Sequence, residues 1–180
     1  IWRIVIRARE LADGRFHVWL PLTEFLSGEV FFLQPNPDTT LTKPSAVRES
    51  ISVGYYNGAD GSLAISSGRG YTRSGLIKPN LAAPGIDVMG AQPNGAFTVR
   101  SGSSAAVAIT AGAAAQLTQW SYYQLGESVD TLQVKNMMVL GAVQKANIKY
   151  PNRGWGDGAL NVFNTFEQLR KYENTRKGEF

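Results

Sequence analysis

The chain has 180 residues, with 18 lysines and arginines against 14 aspartates and glutamates, a net charge of +4. That length holds one domain with a real core, and 43% apolar with 18% charged residues is the balance of a folded protein rather than a disordered one. Cysteine is absent and His17 is the single histidine, which excludes a disulfide framework, a thiol nucleophile and a Cys- or His-cluster metal site; the scattered basic residues give no stripe for a nucleic acid.

In chain order, Ile4 and Ile6 alternate with Arg3, Val5 and Arg7, a period of two that predicts a strand over 2–9. Asp13-Gly14 then separates it from a second strand over 15–20, ended by Pro21; Asp-Gly between alternating runs is a hairpin signal. Val30-Phe31-Phe32-Leu33 predicts a third short strand. The prolines at 35, 37 and 44 put a boundary near residue 35. Three strands cannot bury a core alone, so 1–34 is expected to be the end of a larger β unit, and a chain opening inside a strand is expected to be a fragment or a processed piece.

Strands are then predicted over 50–56, 81–88 and 96–100, with turns at Asn57-Gly58 and Asp60-Gly61. The stretch 104–120 has no charge and is apolar on every side, which predicts a buried central helix packed on a sheet. Asp130, with Gln133 three residues on, predicts a capping box and a helix running on through Met137, Leu140 and Val143. Val162, Phe163, Phe166 and Leu169 predict a third helix over 161–171, after the turn-rich Gly154-Trp155-Gly156-Asp157-Gly158. Strands followed by such helices fit a layered α/β domain over 35–172, with a charged tail over 173–180. No segment has the unbroken apolar length of a membrane-spanning helix, so no membrane partner is expected.

The feature with chemistry in it is a serine opening the apolar helix after a glycine turn. A helix N-terminus offers unpaired N–H groups and partial positive charge, so the N–H of Ser104 suits a developing oxyanion. Gly102 and Ala105 leave room for a substrate carbonyl. The plainer alternative is that Ser103 or Ser104 only caps the helix. His17 lies in an alternating strand and reads as a strand-face residue, not a catalytic base. Asp60 and Asp157 sit in glycine-rich turns without the ligand spacing of a calcium loop, so no cofactor is expected. Trp2, Trp19, Trp120 and Trp155 read as packing residues.

Gly102-Ser103-Ser104-Ala105-Ala106 with Ala111-Gly112-Ala113-Ala114-Ala115 resembles the catalytic-serine motif of the subtilisin-like serine proteases, the subtilases. Ser50-Ile51-Ser52-Val53-Gly54, Ser66-Ser67-Gly68-Arg69-Gly70, Lys78-Pro79-Asn80-Leu81-Ala82-Ala83-Pro84-Gly85-Ile86 and Gly156-Asp157-Gly158-Ala159-Leu160-Asn161-Val162 resemble further family stretches in the same order. Ser103 stands where the family has threonine, and Ala108 where it has proline.

The resemblance implies the C-terminal portion of a three-layer α/β/α subtilisin-like fold, a parallel sheet with a buried helix. Residues 1–34 resemble the last strands of the jelly-roll β-sandwich inserted in spore-germination-type bacterial subtilases, and the absence of cysteine together with the subtilase resemblance implies a secreted or spore-associated bacterial protein. It makes Ser104 the nucleophile and its N–H part of the oxyanion hole. It places Arg100, Ser101, Gly102 and Ser103 against the peptide substrate, with Arg100 and Ser101 on the leaving-group side. Some subtilases bind structural calcium. The family's triad Asp and His and its oxyanion Asn are not among these 180 residues, so an N-terminal part of the same subtilase is the expected partner. Two other functions remain open at this point: a catalytically inactive subtilase-like protein that binds or regulates, and a β-sandwich binding module suggested by 1–34 alone.

Overall fold

The apolar run after Ser50 folds as β1 (Val53–Asn57), and the run at Leu81 as β2 (Leu81–Ile86), in a computed structural model that describes residues 3–10, 13–14, 16–21 and 25–177. The two strands are parallel, with Val53 opposite Leu81 and Tyr55 opposite Ala83. β2 is flanked on its other side by the 158–160 segment: Ala82 N donates to Gly158 O at 3.0 Å and Leu160 N to Ala82 O at 2.8 Å. Ala159 also bridges Val143, so the short sheet is mixed rather than purely parallel.

β3 (Val88–Ala91) and β4 (Phe97–Arg100) form a separate antiparallel hairpin, Val88 opposite Arg100 and Ala91 opposite Phe97. The sequence-based expectation ends a strand at Val88 and does not foresee this pairing. Its signal is Asn94-Gly95, whose φ angles of 70° and 74° make the tight turn.

α1 (Ser103–Leu125) outruns the expected 104–120 because Tyr122 to Leu125 continue the helix until Gly126, whose φ of 70° ends it in the left-handed region. The expectation of burial on every side is corrected. Only the stripe Ala106, Thr110, Ala113, Leu117 and Ser121 is buried, at the i, i+3, i+4 spacing of one helix face. That face packs on β1 and β2, and the small residues let the backbones approach. The opposite side is open, with Val107 52% exposed.

α2 (Thr131–Leu140) starts at the capping box as expected: Gln133 N donates to Asp130 Oδ1, and Asp130 N to Gln133 Oε1, both at 2.8 Å. It stops at Gly141, short of the expected Val143, because α3 crosses there and a Cβ on Gly141 would land on the backbone of Thr165. Asp130→Ala is expected to lower stability by about 1 kcal/mol, read as a shift in the denaturation midpoint with an unchanged slope.

α3 (Val162–Lys177) is capped by Asn161, whose Oδ1 accepts from Asn164 N at 2.9 Å. It takes in the start of the expected tail: the chain from 173 is helical through 177. Residues 178–180 lie outside the described residues.

The core joins Tyr55, Leu81 and Ala83 of the sheet to Ala106, Ala113 and Leu117 of α1, Val134 and Met138 of α2, and Leu160. Beneath it, the buried Lys78 places Nζ 2.9 Å from Asn80 Oδ1 and against Ser50 O, and Ser52 N donates to the same Asn80 oxygen at 2.9 Å. Burial pushes the Lys78 ammonium below its ordinary range. The Lys78-Pro79-Asn80 stretch thus ties the start of β2 to the start of β1.

The chain divides into two units, Ile1–Asn36 and Pro37–Phe180, and all the elements above belong to the second. In the first, the expected hairpin around Asp13-Gly14 and the strand at 30–33 do not form ladders among the described residues; Trp2 and Arg15 lie outside them. Their apolar side chains are open to solvent, Ile4 at 81%, and a short ribbon without a covered face has little to hold it. The His17 and Trp19 rings stack, with centres 5.4 Å apart and planes at 14°.

Candidate active site

Ser104 lies in the first turn of α1, exposed, at the carboxyl end of the parallel pair β1–β2. That is the end at which open α/β sheets place their ligands. Two glycines fix it there. Gly102 N donates to Gly85 O at 2.6 Å, locking the helix start to the end of β2. A Cβ on Gly85 would sit 2.7 Å from Tyr55 Cβ and 2.9 Å from Gly102 O, so only glycine permits this approach. Gly102 itself has φ 132°, a conformation that L side chains rarely adopt, and open space where a Cβ would be.

Gly102, not a serine, is the helix cap, and no side chain caps the helix end. The capping alternative for Ser103 and Ser104 therefore falls: both are inside the helix, in its first turn. Ala105 N and Ala106 N turn back to Gly102 O at 3.2 and 3.5 Å. The N–H groups of Ser103 and Ser104 precede the first intrahelical bond and point out of the helix end. With no acidic side chain in the first turn, the partial positive charge there is not offset locally.

Arg100 and Ser103 are exposed, and Gly102 is half-buried. Ser101 is held from below: its Oγ accepts from Asp87 N at 2.9 Å and donates to Asp87 Oδ1 at 3.1 Å. Asp87, φ 52°, turns the chain between β2 and β3, a role not read from the sequence. Ser101 therefore steadies the loop before the helix with its side chain already engaged.

Among the described residues no three acidic, histidine or cysteine side chains gather as a metal site. Asp60 is bound locally: its Oδ1 accepts from Ser62 N at 2.7 Å, and its bonds to Ser62 hold the carboxyl below the usual carboxylate range. Asp157 is pushed up by burial, eased by Lys135, and its N–H donates to Asn80 O at 2.8 Å. Trp155 is buried against Tyr56, ring centres 5.0 Å apart, with Lys145 Nζ 4.2 Å over its ring.

The mixed sheet and the glycine-locked start of α1 thus hold an exposed serine at one end of the fold. A profile of the subtilase family matches residues 28–158, most of the chain, and the chain belongs to that family. Among solved structures it is similar to the Clostridium perfringens CspB protease, with 33% identity and a TM-score of 0.72 over 77% of this chain and 30% of that one. It is also similar to the prenylagaramide maturation protease PagA, with 28% identity and a TM-score of 0.60 over 74% of this chain and 47% of that one. The self-cleaved protease domain of PatA gives 29% and 0.60 over 76% of this chain and 47% of its own. The chain thus spans less than half the length of each of these proteases. No curated protein gives a significant match.

Proposed function

We propose that this chain supplies the nucleophile of a serine endopeptidase, Ser104, and that another segment supplies the Asp and His of the triad. The observation that supports it is the helix start: an exposed serine, uncapped N–H groups and a Gly102 turn with empty space in front, in a member of the subtilase family. Ser104 Oγ attacks the peptide carbonyl carbon while the histidine of the other segment takes its proton. The Ser104 N–H donates to the oxygen that becomes negative. The C–N bond breaks, the amine leaves with the proton from the histidine, and water then hydrolyses the acyl ester and restores Ser104.

A serine without a base is a weak nucleophile at neutral pH. The 180-residue chain by itself is therefore expected to give no turnover of a peptide ester above buffer. The assembled protease, in which the chain and the Asp- and His-bearing segment are together, is expected to cleave it with saturable kinetics. Turnover by the chain alone that Ser104→Ala abolishes would overturn the division of the triad. An assembled protein that binds peptides and never cleaves them would favour a purely binding role.

A further inference from the structure

We propose that Asp87 is a positioning residue for Ser104: its backbone N–H and its carboxylate clamp the Ser101 hydroxyl and so set where the helix start holds the nucleophile. This deepens the Ser104 reading above and rests on it. Asp87 is the one residue between β2 and β3, where the chain leaves the central sheet. Ser101 follows β4, where the chain comes back to enter α1. Val88 pairs with Arg100, so Asp87 and Ser101 face each other one step beyond the ladder. There the main-chain ladder gives way to a side-chain clamp. Ser101 Oγ accepts from Asp87 N at 2.9 Å and donates to Asp87 Oδ1 at 3.1 Å. One hydroxyl thus spends its donor and an acceptor site on the same partner. Asp87 makes both contacts from a φ of 52°, a left-handed conformation that aspartate tolerates better than most side chains.

The helix start has little else to direct it. No side chain caps α1. Gly102, with φ 132°, has no Cβ to restrict its rotation. Among the described residues β3 and β4 pair only with each other, so the ribbon gives the junction no ladder to the central sheet. The Gly102 N to Gly85 O bond of 2.6 Å fixes one point of the junction. The Asp87–Ser101 clamp, one residue earlier, fixes the direction in which the chain enters that point. Ser104 comes two residues after Gly102, so a rotation there moves its hydroxyl directly. Asp87 and Ser101 are both exposed, where water competes for each partner, so the clamp adds little to global stability. Its effect falls on the placement of the serine, and a misplaced nucleophile loses rate without loss of fold.

The test uses the assembled protease and a peptide ester, with kcat, KM and melting temperature measured for each variant. Asp87→Gly keeps the left-handed turn free of strain and removes the carboxylate. Ser101→Ala removes the hydroxyl from the other side. Each is expected to lower kcat about 10-fold, with KM within about twofold and the melting temperature nearly unchanged. The double variant is expected to lose about as much as either single one, because both break the same clamp. Asp87→Asn keeps a side-chain oxygen that accepts from Ser101, and is expected to retain most of the rate. Asp87→Gly with an unchanged kcat overturns the proposal. So does a loss that Asp87→Asn shares, a loss that follows a fall in melting temperature, or losses that multiply in the double variant. A rise in KM at constant kcat overturns it too, because Ser101 then acts on the substrate rather than on Ser104. In all these cases an inactive Ser104→Ala leaves the Ser104 reading standing; a Ser104→Ala variant that keeps its activity overturns both.

Discussion

Replacing Ser104 by alanine in the assembled protease is expected to lower kcat by about 10⁴-fold or more, with little change in KM. The alanine keeps the helix and the N–H groups at its end, because Gly102 carries the cap and no serine side chain holds the helix start. What disappears is the atom that forms the acyl ester. Residual hydrolysis comes from the bound, polarised carbonyl alone. The same substitution leaves the melting temperature nearly unchanged, since Ser104 is exposed and unused in packing. Thr118→Ala, an exposed position further along the same helix, serves as the control, with an effect well below tenfold. A loss of similar size from Thr118→Ala would mean that the helix, not the nucleophile, had been damaged.

The second large effect is expected at Gly85. Alanine there puts a methyl group 2.7 Å from Tyr55 Cβ and 2.9 Å from Gly102 O. Both neighbours are fixed, Tyr55 in the core of β1 and Gly102 in the turn that leads into Ser104. Relief comes only by parting β2 from the start of α1. Overpacking of this kind costs roughly 1–3 kcal/mol. A displacement of about 1 Å at the serine costs roughly 10²-fold in kcat. Gly85→Ala should therefore lower both the melting temperature and kcat, while Gly112→Ala, at a helix position with open space around it, changes neither by much. Equal losses in the two variants would show that the Gly85 approach does not position Ser104.

The reading of the sequence succeeds where one residue decides the local structure. Asp130 and Gln133 announce the capping box in their spacing alone, and both bonds form. The glycine before Ser103-Ser104 likewise marks the turn into α1, where Gly102 takes a φ of 132°. It fails where burial depends on distant chain. An alanine-rich helix without charge looks the same whether one face or all faces are covered, and only the sheet shows that Ala106, Ala113 and Leu117 turn inward while Val107 does not. The Asp13-Gly14 turn likewise predicts a hairpin whose strands find no ladder among the described residues. Of the β3–β4 ribbon the sequence predicts only the 96–100 strand, although Asn94-Gly95 announces the turn, because Val88 to Ala91 is short and carries a glycine and no polar residue.

The central claim, that Ser104 is a nucleophile activated by a segment outside these 180 residues, is tested most directly by a fluorophosphonate that reacts with activated serines. Its adduct is located by mass spectrometry of the assembled protease and of the chain alone. The account predicts a single adduct on Ser104 in the assembled protease, and none on the chain by itself. An adduct on another serine, or equal labelling of Ser104 with and without the second segment, would contradict it.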